Sequence, residues 1–139
     1  MSECLIWIVD DDADDLYMIS QAFKECSFEI RTFTHQEAKD LIPALEKSYS
    51  RDFPQLVLLD INMPGISGKE LLLTVRADNR FRHIPIVMFT TSASRQDKVE
   101  CMTYGANCFL TKPSSYNGMT KICSSLATVF CTPEFSQVR

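Results

Sequence analysis

The sequence lacks the marks of several large classes of protein. No apolar run approaches the roughly 18 residues of a membrane-spanning helix. The first twelve residues, MSECLIWIVDDD, carry no basic region and no cleavage site, so they do not read as a secretory signal. Positive charge is not in surplus: 14 Lys and Arg face 18 Asp and Glu, a formal net charge of −4. Nucleic-acid binding asks for a basic face, so no nucleic-acid partner is expected. The six cysteines are Cys4, Cys26, Cys101, Cys108, Cys123 and Cys131. None forms a C-x-x-C pair, and only His35 and His83 could join them as ligands, so a zinc or redox centre is not indicated. There is no repeat, no low-complexity stretch and no linker. These absences imply a cytoplasmic protein with reduced, structural thiols, Cys131 being the most exposed.

What is there fits one domain. The chain has 139 residues, 45% of them hydrophobic, enough for a core and too few for two domains of common size. Short apolar runs alternate with helical patterns. Leu5–Val9, Leu56–Leu59 and Ile86–Phe89 are apolar on both faces, as buried parallel strands require. Ile30–Phe33 reads as an edge strand and Cys108–Leu110 as a short fifth strand. Leu16, Ile19, Phe23 and Cys26 repeat at helical spacing. So do Ala38, Leu41, Ile42 and Leu45, with Pro43 marking a kink or the true start. Further helices are expected from Gly68 to Val75, from Ser94 to Tyr104 and from Met119 to Phe130. This alternation predicts an α/β fold: a five-stranded parallel sheet, (βα)₅, with helices on both faces. Right-handed crossovers leave few topologies, and the common one has strand order 2-1-3-4-5.

That order places ligands beyond the carboxyl ends of the strands, between β1 and β3. The first strand ends in Asp10-Asp11-Asp12 and the third in Asp60. Carboxylates about 4 Å apart repel by ~1 kcal/mol even in water. A hard divalent cation would compensate, and Mg²⁺, which takes a few carboxylates and keeps several waters, fits best. The other strand ends add the hydroxyl of Thr90 and the ammonium of Lys112. An acid cluster, a hydroxyl and a fixed cation suit a phosphoryl group. No Gly-rich loop follows the first strand, so a nucleotide is not suggested. The phosphoryl group would sit on a carboxylate. The plainer reading makes Asp10–Asp12 a helix cap, Thr90 a cap, Lys112 a surface lysine and Phe109 core.

Four stretches, Ile6–Asp12, Leu56–Gly68, Val87–Thr90 and Phe109–Pro113, match in order and spacing the receiver domains of two-component response regulators. The chain therefore resembles that chemotaxis-regulator-like, flavodoxin-like family, and most of all its stand-alone, phytochrome-associated members. Ser67-Gly68, the Arg76-to-Pro85 insertion, Thr90-Thr91-Ser92 and Lys112-Pro113-Ser114-Ser115 carry that finer likeness. The resemblance implies that Asp60 accepts a phosphoryl group from a sensor histidine kinase, of phytochrome type on the finer likeness. It implies that Asp10, Asp11, Asp60 and the carbonyl of Asn62 hold Mg²⁺. Thr90 and Lys112 would bind phosphoryl oxygens, Phe109 would be the switch aromatic, and the Lys112–Pro113 bond would be cis. Thr91 is bulkier than is usual in the family, and Asn62 and Ser92 hold the positions that tune autodephosphorylation.

The resemblance also implies a signalling phosphoacceptor rather than an enzyme. Its helix 4–strand 5–helix 5 face would serve a partner, a second copy or a downstream phosphotransfer protein. Residues 1–130 would be the receiver and 131–139 a short tail with no output domain; Val129 to Phe135 is a candidate dimer contact. Three other readings compete. Asp10-x-Asp12 is similar to the first motif of haloacid-dehalogenase-type phosphatases, but beyond Lys112 only Glu134 is acidic. A flavin carrier of this topology would need a hydroxyl-rich loop where three aspartates stand. The third is a docking receiver that works without phosphorylation.

Overall fold

The computed structural model describes residues 3–132. Five strands, β1 (Cys4–Val9), β2 (Ile30–His35), β3 (Leu56–Leu59), β4 (Ile86–Thr90) and β5 (Cys108–Thr111), form one parallel sheet in the order β2-β1-β3-β4-β5. The expected topology is therefore the observed one. Every residue of β3 and β4 is buried, as their unbroken apolar runs demand. Strand β2 has only partly buried and exposed residues, as suits an edge strand.

The helices are α1 (Ala13–Lys24), α2 (Leu41–Lys47), α3 (Gly68–Ala77), α4 (Arg95–Thr103) and α5 (Tyr116–Phe130). One core layer packs Leu16, Ile19 and Phe23 of α1 and Met119, Cys123 and Leu126 of α5 against one sheet face. The other packs Leu41, Leu45, Leu71, Leu72 and Cys101 against the opposite face. Each buried aliphatic side chain contributes about 1.5–3 kcal/mol. Pro43 falls in the first turn of α2, where helical N–H groups have no intrahelical partner, so it marks a start and not a kink.

Arg76 fastens the Arg76–Pro85 segment. Its Nε donates to the Gly105 carbonyl at 2.8 Å, and its terminal nitrogens to the Arg82 and Ile84 carbonyls and to Asn107 Oδ1 at 3.1, 2.8 and 3.0 Å. Gly105 has φ +107° and a Cβ there would lie 3.1 Å from the Arg76 side chain, so glycine serves both the turn and the arginine.

The thiol expectation is corrected at one pair. Cys4 and Cys131 form a disulfide with Cα atoms 5.5 Å apart, while Cys26, Cys101, Cys108 and Cys123 are free. The separation of 127 positions hides the pairing from a reading of spacing; the fold returns α5 to the start of β1. Cys131 is partly buried, as are Cys26 and Cys108. Val129 is exposed, but 133–135 of the candidate dimer segment lie outside the described residues. Among the described residues no helix is long and apolar enough to cross a membrane.

Candidate functional site

Strand register decides which side chains meet. Val9 pairs with Leu59, so Asp10 and Asp60 leave neighbouring strands at the same level. The Asp60 N–H donates to the Val9 carbonyl at 3.0 Å and keeps them there. Thr90 pairs with Thr111, and the Lys112 N–H donates to the Thr90 carbonyl at 2.7 Å. Lys112 thus enters from the far side of the same strand-end crevice.

The start of α3 closes tightly on this level. The Gly68 N–H donates to the Ile61 carbonyl at 2.8 Å. A Cβ on Gly68 would lie 2.0 Å from the Asp60 carbonyl oxygen, so only glycine fits. Ser67 caps the helix through Glu70 N–H.

Asp10, Asp11 and Asp60 each offer a carboxylate oxygen within 4.8 Å of the others. Asp10 and Asp60 are buried; Asp11 is more open. Asp60 Oδ1 accepts the Ile61 N–H at 2.8 Å, and Oδ2 faces Lys112 Nζ at 3.2 Å. Lys112 Nζ also donates to Asp10 Oδ2 at 2.5 Å and to Asp15 Oδ2 at 2.8 Å. One ammonium therefore serves three carboxylates.

Burial drives the Asp10 carboxyl up to about 6, against the pull of Lys112 and of the Asp12 N–H; the negative charge of Asp60 adds to the rise. Burial by itself would lower the Lys112 ammonium, but Asp10 and Asp15, with the charge of Asp60, hold it above its ordinary value. The two shifts have different causes: burial disfavours the charged Asp10 carboxylate, whereas the neighbouring carboxylates hold the Lys112 ammonium charged against its own burial. A hard cation with oxygen ligands would offset the excess of carboxylates over one ammonium, and the all-carboxylate donor set fits one.

The remaining expected residues fall as follows. Thr90 is fully buried, and its Oγ1 accepts the Ser92 N–H at 3.2 Å. Phe109 is partly buried, packed on the core beside α4. It lines an open groove with Val99 and Met102. Asn62 is exposed, two residues past Asp60. Thr91 is exposed too. The expected cis bond is corrected: no described peptide bond is cis, so Lys112–Pro113 is trans. The two isomers at X–Pro differ by only about 0.5–1 kcal/mol, and the β4 hydrogen bond already directs Lys112 into the crevice with the bond trans. Asp12 is corrected as a chemical residue of the phosphatase reading: it is exposed and its Oδ1 caps α1, accepting from Asp14 and Asp15 N–H.

Asp15 and a second network were not foreseen. Asp15 lies in the first turn of α1, a position that reads as a dipole residue, yet it turns onto Lys112. Its distance of four residues from Asp11 was the available signal. Beside Thr90, Ser92 Oγ donates to Asp97 Oδ2 at 2.6 Å. Lys69 of α3 donates to Asp97 at 2.6 Å and to Glu100 at 3.3 Å. The loop after β4 is thereby tied to both α3 and α4.

A buried aspartate facing a lysine, flanked by two more carboxylates at parallel strand ends, is suited to a phosphoryl group and a hard cation. The family described as response regulator receiver domain matches residues 6–124. The chemotaxis protein CheY of Pseudomonas aeruginosa is 39% identical over 108 residues, covering 78% of this chain and 83% of that protein. The phosphorylated cyanobacterial phytochrome response regulator RcpA superposes with a TM-score of 0.85 at 23% identity, covering 94% of this chain and 96% of that one. The Mn²⁺-bound form of the response regulator Rcp1 superposes with a TM-score of 0.79 at 23% identity, covering 90% and 92%. The chain belongs to the response regulator receiver domain family of two-component signalling, and the comparisons give the haloacid-dehalogenase reading no support.

Proposed function

We propose that Asp60 is the phosphoacceptor and that the chain switches when a sensor histidine kinase phosphorylates it. The observation that carries this reading is the Asp60 carboxylate, buried, fixed by the Ile61 N–H through Oδ1 and facing Lys112 through Oδ2. Asp60 Oδ2 attacks phosphorus; the phosphohistidine nitrogen leaves with its bonding pair, and an acyl phosphate forms. Lys112 balances charge on the transferred oxygens. Asp10, Asp11 and Asp60, with the Asn62 carbonyl, would hold Mg²⁺, which when bound supplies further charge neutralisation. The likeness in fold to a Mn²⁺-bound response regulator supports a divalent ion.

Phosphorylation removes one carboxylate charge from Lys112 and offers it phosphoryl oxygens. The Thr90 hydroxyl, at the end of β4, would leave the Ser92 N–H to reach them. Phe109 would follow Thr90, repacking the α4–β5–α5 face for a partner, a second copy or a phosphotransfer protein. The fold likeness to phytochrome response regulators supports a phytochrome-type kinase. Stoichiometric labelling with acetyl phosphate and Mg²⁺ tests the reading. Asp60→Asn should take up no label, EDTA should suppress uptake, and persistent label on Asp60→Asn would overturn the assignment. Thr90→Ala should still be labelled but lose the coupled gain in partner affinity.

A further inference from the structure

We propose that Asp15 is a positioning residue for phosphoryl transfer: it tethers the Lys112 ammonium to α1 and limits how firmly that ammonium can hold the phosphoryl group. The proposal rests on Asp60 as the acceptor and adds a residue that sets how tightly the transferred group is kept.

An ammonium has three N–H donors, and Lys112 has a carboxylate for each. Its Nζ lies 2.5 Å from Asp10 Oδ2, 2.8 Å from Asp15 Oδ2 and 3.2 Å from Asp60 Oδ2. The contact with the acceptor is the longest, so the ammonium sits toward its two rivals. The Lys112 side chain is only 5% exposed, which leaves little water to replace a partner it gives up. To hold a phosphoryl oxygen more closely, Lys112 must draw away from Asp10, from Asp15 or from both.

The two rivals differ in their other duties. Asp10 belongs with Asp11 and Asp60 to the carboxylate cluster that suits a divalent cation, and Asp15 does not. Asp10 would share its charge with that cation, whereas Asp15 keeps its whole charge for Lys112. Among the described residues Lys112 is the one cation paired with Asp15. The tether has a fixed base. Asp15 stands in the first turn of α1, its N–H donates to Asp12 Oδ1 at 3.2 Å, and the next residue, Leu16, is buried in the core. An acyl phosphate that shares its lysine with Asp15 is less stabilised, and at equilibrium its group passes more readily to another acceptor.

The Asp15 side chain is 26% exposed, so it can be replaced without opening a buried cavity. Beryllofluoride, which mimics a phosphoryl group on a carboxylate, is the probe; it is titrated into the full chain with Mg²⁺, and ¹⁹F NMR reads the bound form. Asp15→Asn keeps the shape and an acceptor but loses the charge, and a neutral acceptor holds an ammonium about half as strongly. It should bind beryllofluoride at least about fivefold more tightly than the wild type. Asp15→Glu restores a carboxylate and should bind within about twofold of the wild type. An affinity in Asp15→Asn equal to or below that of the wild type overturns the tether. Equal tightening in Asp15→Glu overturns it too, because packing and not charge would then be responsible. A wild type that forms no adduct and takes no label from acetyl phosphate overturns the Asp60 reading, and the tether with it.

Discussion

Asp10 bears the electrostatic cost of the crevice, and the cost has a readable pH signature. Its carboxyl ordinarily titrates at 3.8 and is raised to about 6 by burial, Lys112 and the Asp12 N–H opposing. Between those values the folded chain holds a proton that the unfolded chain releases. Metal-free stability should therefore fall as pH rises through that window and level off above it. Asp10→Asn removes the buried charge and should stabilise the metal-free protein at pH 7.5 by on the order of 1–2 kcal/mol while weakening metal binding. Urea denaturation of both proteins across that window checks this; a destabilised Asp10→Asn at pH 7.5 would contradict it. Gly68 is constrained sterically instead. With its Cβ 2.0 Å from the Asp60 carbonyl oxygen, Gly68→Ala must displace α3 or the Asp60 backbone. It should lose about 2 kcal/mol or more in denaturation and label slowly with acetyl phosphate. Asp10, Asp11, Asp60 and Lys112 were legible in the sequence because Asp10 and Asp60 follow directly on apolar strands and Asp11 and Lys112 lie one residue further on. Asp15 was not, because a carboxylate in a first helical turn has an ordinary role as a dipole residue and only the folded chain shows its lysine.

Of the helices α1 to α5, α4 buries the fewest residues. Cys101 is its one fully buried residue. Polar ties do the rest: Lys69 reaches Asp97 and Glu100, and Asp97 reaches Ser92. Apolar burial and ion pairs differ in salt sensitivity. Amide exchange should therefore be faster in α4 than in α1 or α5, and Lys69→Met should speed it further in α4 alone. Equal acceleration in α1 would point to global destabilisation and against a local brace. The connection after α3 depends similarly on Arg76, whose guanidinium donates to Gly105, Arg82, Ile84 and Asn107. Arg76→Ala strands those acceptors and should cost about 2–3 kcal/mol, with Arg76→Lys recovering only part because an ammonium lacks the planar fork. At this scale the strands and their order could be read from apolar runs and the crossover rule. The arginine clamp could not, since its acceptors are mostly backbone carbonyls, which every residue carries.

The Cys4–Cys131 bond belongs to the whole molecule. Strand β1 begins at the end of the sheet opposite the acid crevice. Helix α5 starts near the crevice, and its 15 residues run about 22 Å back along the sheet. Its last turn therefore arrives beside the first residue of β1, and the two sulfurs meet. Composition and spacing argue for free thiols because cytosolic proteins rarely keep disulfides. Nothing in the spacing of Cys4 and Cys131 announces that the fold brings them together. Closing a loop across 127 residues restricts the unfolded chain strongly, and the entropic argument sets a ceiling of about 5 kcal/mol. Distortion and residual structure reduce such gains, so about 2–4 kcal/mol is expected for the oxidised over the reduced protein. The bond lies at the opposite end of the sheet from Asp60, so reduction should leave acetyl phosphate labelling intact while lowering the denaturation midpoint. Cys131→Ser should match the reduced protein and respond to no reductant. Midpoints that coincide with and without dithiothreitol, in protein whose thiol count confirms the bond, would show that the staple adds nothing to stability. A loss of labelling on reduction would show instead that the far end of α5 governs the crevice.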